Sequence, residues 1–111
     1  MTRDYELKSI NNKQEAENLL KESRDRIDEI DNELFDLIYQ RTSIAKDIAL
    51  SKEYLGMPIF DKSREEVVYK KIDDLCTDLG LDVEIINQIV NMLTILNKNE
   101  QEKILRRNVD G

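Results

Sequence analysis

Apolar residues recur along the chain at the three- and four-residue spacing of helices, and three such stripes account for nearly all of it. The first carries Leu20, Ile27, Ile30, Leu34, Leu37, Ile38, Ile44, Ala45, Ile48 and Leu55. It predicts a helix from about Lys13 to about Leu55, which Gly56-Met57-Pro58 stops through backbone freedom at Gly and ring geometry at Pro. A second helix is expected to start near Asp61 or Ser63. It carries Val68, Ile72, Leu75 and Leu79 on one face and ends at Gly80. Asp82 can cap a third helix with Ile85, Ile86, Ile89, Val90, Leu93, Leu96, Ile104 and Leu105 as its apolar face. No strand alternation competes with these periods. Residues 1–12 are polar and weakly periodic, an N-terminal extension open to disorder, and residues 13–111 read as a single helical domain.

The stripes are interrupted in a particular way. Arg41 falls between Leu37/Ile38 and Ile44/Ala45, and Lys52 returns to the stripe one turn after Ile48. In the third helix Asn97 and Gln101 occupy the phase set by Ile86, Val90 and Leu93. Inward-facing cations are costly unless an anion meets them. Two helices that both turn polar groups inward therefore point to a polar pocket for a small anion inside a helical bundle.

The length of the first helix carries a second implication. Roughly 40 residues of helix span on the order of 60 Å, whereas a compact chain of this size has a radius of gyration of about 13 Å. A second copy laying its own long helix alongside would cover the stripe, which predicts an all-α, intertwined homodimer with shared cores.

Composition narrows the chemistry. The chain has 111 residues, three Gly and one Pro, and 37% of it is charged, which suits one helical domain. A net charge of −7 argues against nucleic acid and anionic membrane surfaces as partners. The polar N-terminus is no secretory signal, and no apolar run reaches membrane length. With Cys76 alone, no internal disulfide can form, which fits a reducing cytoplasm; Cys76 itself reads as a small core residue. There is no histidine, so imidazole metal sites and histidine-based proton transfer are excluded, and no metal site is expected.

The order and spacing of the polar positions carry a resemblance. Arg24-x-x-Ile27-x-x-Ile30-Asp31-x-x-Leu34 is followed by Arg41-x-x-Ile44-Ala45, Lys52, Gly56-Met57-Pro58-Ile59-x-Asp61-x-x-Arg64-Glu65, and Asn97-x-x-x-Gln101. Over roughly residues 20 to 105 this resembles the all-helical (type II) class of chorismate mutase. The resemblance implies an isomerase that converts chorismate to prephenate on the way to phenylalanine and tyrosine. That reaction is a pericyclic rearrangement of a dicarboxylate, and it needs no cofactor, covalent intermediate or proton shuttle. Catalysis would come from holding the reactive conformer and from donors aimed at the breaking ether oxygen.

By the same resemblance, Arg41 would bind one substrate carboxylate, and Lys52 would touch a carboxylate and the ether oxygen. Gln101 would donate to that oxygen, and Asn97 would contact a carboxylate. Asp61, Arg64 and Glu65 would line the pocket, with Arg64 supporting binding and Glu65 accepting the substrate hydroxyl. Arg24 would reach the site of the other subunit. Plainer readings stand beside these. Arg41 could pair with an acid at a helix seam, Lys52 could snorkel near a helix end, and Arg24 could be a solvated surface residue. Ser63-x-x-Glu66 reads as a capping box. The chain ends soon after the third helix, so no fused catalytic or amino-acid-sensing domain is expected. Two rival functions are an isochorismate pyruvate lyase on the same scaffold and a non-catalytic coiled-coil dimerisation module. The module would leave the inward-facing Arg41, Lys52, Asn97 and Gln101 without a reason.

Overall fold

A computed structural model describes residues 9–110, and every regular element among them is helical. The elements are α1 (Lys13–Ser43), α2 (Ala45–Leu55), α3 (Lys62–Leu79) and α4 (Val83–Asp110). Residues 1–8 of the N-terminal extension lie outside the described residues. None of the described helices is long and apolar enough to cross a membrane.

Helix ends follow from local chemistry. The Asn12 side chain accepts from the Glu15 N–H (2.9 Å) and opens α1. Asp61 does the same for α3, taking the Arg64 N–H at 3.1 Å, and Asp82 for α4, taking the Ile85 N–H at 3.1 Å. Gly56 and Gly80 close α2 and α3 at φ 70 and φ 69, the left-handed region where a side chain is penalised. The expected Ser63–Glu66 capping box does not form. Ser63 lies inside α3, because Asp61 presents a carboxylate two residues earlier and takes the cap. Glu66 instead sits 3.9 Å from exposed Lys62.

The expected first helix runs over the predicted span but is divided at Ile44 into α1 and α2. Ile44 keeps a helical backbone (φ −68, ψ −17). The bonds from Ile44 N–H to the Gln40 carbonyl (3.3 Å) and from Ile48 N–H to the Ile44 carbonyl (3.2 Å) carry the ladder past it. The loosening coincides with an intruder: the Arg41 carbonyl, the acceptor that a regular helix assigns to Ala45 N–H, takes a hydrogen bond from Asn97 Nδ2 at 3.1 Å. Thr42 and Ser43, both modest helix formers, offer little resistance there.

Two compact units are distinguished, Asp4–Tyr39 and a larger one formed chiefly by Gln40–Gly111. In the larger unit α4 packs against α2 and α3. Its buried apolar residues are Ala45 and Ala49, four apart on α2 and without exposed surface, with Cys76 of α3 and Val90 of α4. Alanines at that spacing let two helix backbones approach closely. In the smaller unit α1 has no buried residue, and Leu20, Ile27, Ile30 and Leu34 of its apolar stripe are all exposed.

Candidate active site

Within the larger unit, the end of α1, α2, the loop after it, α3 and α4 line a cavity of about 350 Å³. That lies toward the small end of ligand pockets, which run from about 300 to 1,000 Å³. Arg41, Lys52, Asp61, Arg64, Glu65, Asn97 and Gln101 all line it. These are seven of the eight residues expected from sequence to form a site. The eighth, Arg24, is exposed on α1 in the other unit and is not among the lining residues. Ile44, Ile48, Ile59 and Val68 supply apolar walls, and Thr94 and Lys98 are further polar members.

A hydrogen-bond relay crosses the cavity from α2 to α4 and back to the end of α1. Lys52 Nζ donates to Gln101 Oε1 (3.1 Å), Gln101 Nε2 donates to Asn97 Oδ1 (2.7 Å), and Asn97 Nδ2 donates to the Arg41 carbonyl (3.1 Å). Its direction is fixed from both ends. A backbone carbonyl can only accept, so Asn97 must turn Nδ2 toward it; an ammonium can only donate, so Gln101 must turn Oε1 toward Lys52. The Gln101 amide therefore points its NH₂ away from Lys52, with one hydrogen engaged by Asn97 and one left over. Gln101 is the single buried polar residue among those described, at 3% exposure, so this orientation is set in a low-dielectric setting where hydrogen bonds bind strongly.

Both cations on the apolar stripe are anchored without being neutralised. Lys52 Nζ also donates to the Ile59 carbonyl (2.6 Å), which ties α2 to the loop that follows it. Arg41 Nη1 donates to the Leu93 carbonyl (3.0 Å), which aims the guanidinium across α4. Neutral carbonyl partners hold geometry and leave the positive charge for a ligand. Both polar side-chain atoms of Asn97 are engaged inside the protein, Oδ1 by Gln101 and Nδ2 by the Arg41 carbonyl, and one Nδ2 hydrogen is left over.

Among the lining residues, four cations (Arg41, Lys52, Arg64, Lys98) face two carboxylates (Asp61, Glu65), an excess of two positive charges in a chain whose net charge is −7. Glu65 is 3.4 Å from Lys98, and Asp61 is occupied as the α3 cap. Among the described residues no acidic, cysteine or histidine cluster could hold a metal ion. Lys98 and Thr94 had no place in the sequence reading. Thr94, Asn97, Lys98 and Gln101 fall within two helical turns, a polar run on a helix face that begins apolar, and that was the available signal.

The cavity carries an excess of two positive charges, apolar walls, and amide and ammonium donors, a composition that suits a compact dianion. The chain matches the family Chorismate mutase type II over residues 23–107, and it belongs to that family. The chorismate mutase of Methanocaldococcus jannaschii is 43% identical to it over 86 residues, covering 78% of this chain and 87% of the relative. No solved structure gives a match.

Proposed function

We infer that this chain is a chorismate mutase, an isomerase that rearranges chorismate to prephenate, and that the cavity between α2, α3 and α4 is where it acts. Family membership gives the reaction. The observation that supports the location is the convergence of Arg41, Lys52 and Gln101, from distant parts of the chain, on one cavity with an excess of positive charge.

The reaction breaks a carbon–oxygen bond while a carbon–carbon bond forms, within one molecule and with no proton transferred. The protein's task is to hold the two reacting arms together and to stabilise charge growing on the ether oxygen. Arg41 takes one carboxylate, for which a planar guanidinium suits a two-point contact. Lys52 uses two of its three protons on Ile59 and Gln101, and the third serves a carboxylate and the ether oxygen. The remaining Nε2 hydrogen of Gln101 goes to the same oxygen. Glu65 accepts the substrate hydroxyl, Arg64 adds to binding, and Asp61 fixes the start of α3 on which both are carried. Asn97 acts mainly by orienting Gln101.

The working form is an intertwined homodimer in which Arg24 serves the partner's cavity. The bare stripe on α1 favours this, since an apolar helix face in water needs a cover. A reducing cytoplasm suits the lone, buried Cys76. The primary test follows chorismate and isochorismate in parallel after adding purified protein. Loss of chorismate with prephenate as the product is expected; release of pyruvate from isochorismate, with chorismate untouched, would favour the lyase. The shared site is tested by unfolding and refolding Arg24→Ala and Lys52→Ala chains together. Random pairing restores about a quarter of the parent activity if each site draws on both chains, and none if both residues come from one chain.

A further inference from the structure

We propose that Lys98 is a positioning residue for the reaction: it holds the Glu65 carboxylate against α4, so that Glu65 meets the substrate hydroxyl and does not neutralise Arg41 and Lys52. Lys98 lines the cavity, and its ammonium lies 3.4 Å from Glu65 Oε2. The pair joins α3 to α4 across 33 positions of sequence, and both side chains are about three-quarters covered, at 28% and 23% exposure. Lys98 is steadied from a second side, where its ammonium stands 5.3 Å from the centre of the Phe60 ring, within cation–π range. Within α4, an acid four residues on could also reach a lysine. Glu102 occupies that position but sits 4.0 Å from Arg106. The acid that Lys98 meets is therefore Glu65 on α3 and not Glu102 on its own helix.

The consequence follows from charge. Glu65 is an anion lining a cavity that also presents Arg41, Lys52 and Arg64. A carboxylate free to swing would compete with a dianionic ligand for these cations. With one oxygen held by Lys98, its second oxygen remains to accept a hydroxyl, which gives a site that distinguishes a hydroxylated ring from a bare one.

The proposal rests on the chorismate mutase reading and on the role given there to Glu65. It is tested by a double-mutant cycle on kcat/KM for chorismate, with Lys98→Met, Glu65→Gln, the double variant and Lys98→Arg, each checked for folding by thermal melting. Lys98→Met should lose roughly tenfold, the scale of coupling between contacting charged residues. Lys98→Arg should keep most of the activity. In the Glu65→Gln background, the Lys98→Met change should cost little more. Equal losses in both backgrounds would mean that Lys98 acts on substrate directly, and an unchanged kcat/KM in Lys98→Met would mean that it does nothing; either overturns the proposal. An undiminished Glu65→Gln variant would overturn the role of Glu65 first and this proposal with it. Should Lys98→Met fail to fold, Lys98→Gln takes its place in the same cycle.

Discussion

Replacing Gln101 by glutamate changes one atom group and reverses the hydrogen-bond logic of the site. At neutral pH a carboxylate there keeps the bond from Lys52 Nζ, now an ion pair, and loses the donor that met Asn97 Oδ1 at 2.7 Å. Asn97 cannot simply turn over, because its Nδ2 is held by the Arg41 carbonyl, which accepts only. An acceptor then faces an acceptor at a position 3% exposed. Leaving a buried acceptor unpaired costs about 1–3 kcal/mol, which the strengthened Lys52 contact partly offsets. The catalytic loss is larger, since removing one donor aimed at developing negative charge costs about 10²- to 10³-fold in kcat. Below the carboxyl's titration the acid regains one O–H, which must serve both Asn97 Oδ1 and the ether oxygen. Activity should therefore rise as pH falls and stay below the parent. Measuring kcat/KM for chorismate from about pH 3.5 to about pH 8.5 reads this out, since the window brackets the ordinary glutamate value of about 4.3. The parent, whose chain has no histidine and whose donor is an amide, should be nearly flat over most of it. A Gln101→Glu profile parallel to the parent's would falsify the donor role of Gln101.

Three further outcomes are expected. Arg41→Ala should fold, with its melting temperature close to the parent's because Arg41 Nη1 contacts only a carbonyl that already belongs to the α4 ladder, yet lose roughly a hundredfold or more in kcat/KM; its melting temperature should no longer rise with a saturating chorismate-like dicarboxylate, whereas the parent's should. Asn97→Ala should lower kcat by about tenfold with little change in KM, since it releases the Gln101 amide to rotate without removing a carboxylate contact; a rise in KM alone would return Asn97 to direct binding. Gly56→Ala should lower stability by about 1–2 kcal/mol in thermal melts, because φ 70 is left-handed although a Cβ there would meet nothing within 4 Å.

Much of this site could be read before any coordinates, because it breaks a rule that the rest of the chain obeys. Arg41 and Lys52 stand out on an apolar stripe, and Asn97 and Gln101 do so on another. The helix ends were legible for similar reasons, with Gly56 and Gly80 at left-handed dihedrals and Asp82 as a cap. What the sequence hid depends on pairings between distant residues. Lys98 looks like a solvated lysine until α3 brings Glu65 beside it. The interruption at Ile44 coincides with the Asn97 amide on the Arg41 carbonyl, a contact 56 positions apart that no local propensity encodes. The Ser63–Glu66 motif misled because a better cap, Asp61, precedes it by two residues.

Recognition of a dicarboxylate ether by one cavity, through Arg41, Lys52 and Gln101, is the proposal on which the others depend. A crystal structure with a non-reactive, chorismate-like dicarboxylate bound tests this most directly. It should show one carboxylate on Arg41, the ether oxygen within hydrogen-bonding distance of both Lys52 Nζ and Gln101 Nε2, and a ring hydroxyl on the Glu65 oxygen that Lys98 leaves free. A ligand seated away from Lys52 and Gln101, or bound with its ether oxygen facing the apolar wall of Ile44, Ile48 and Val68, would contradict it.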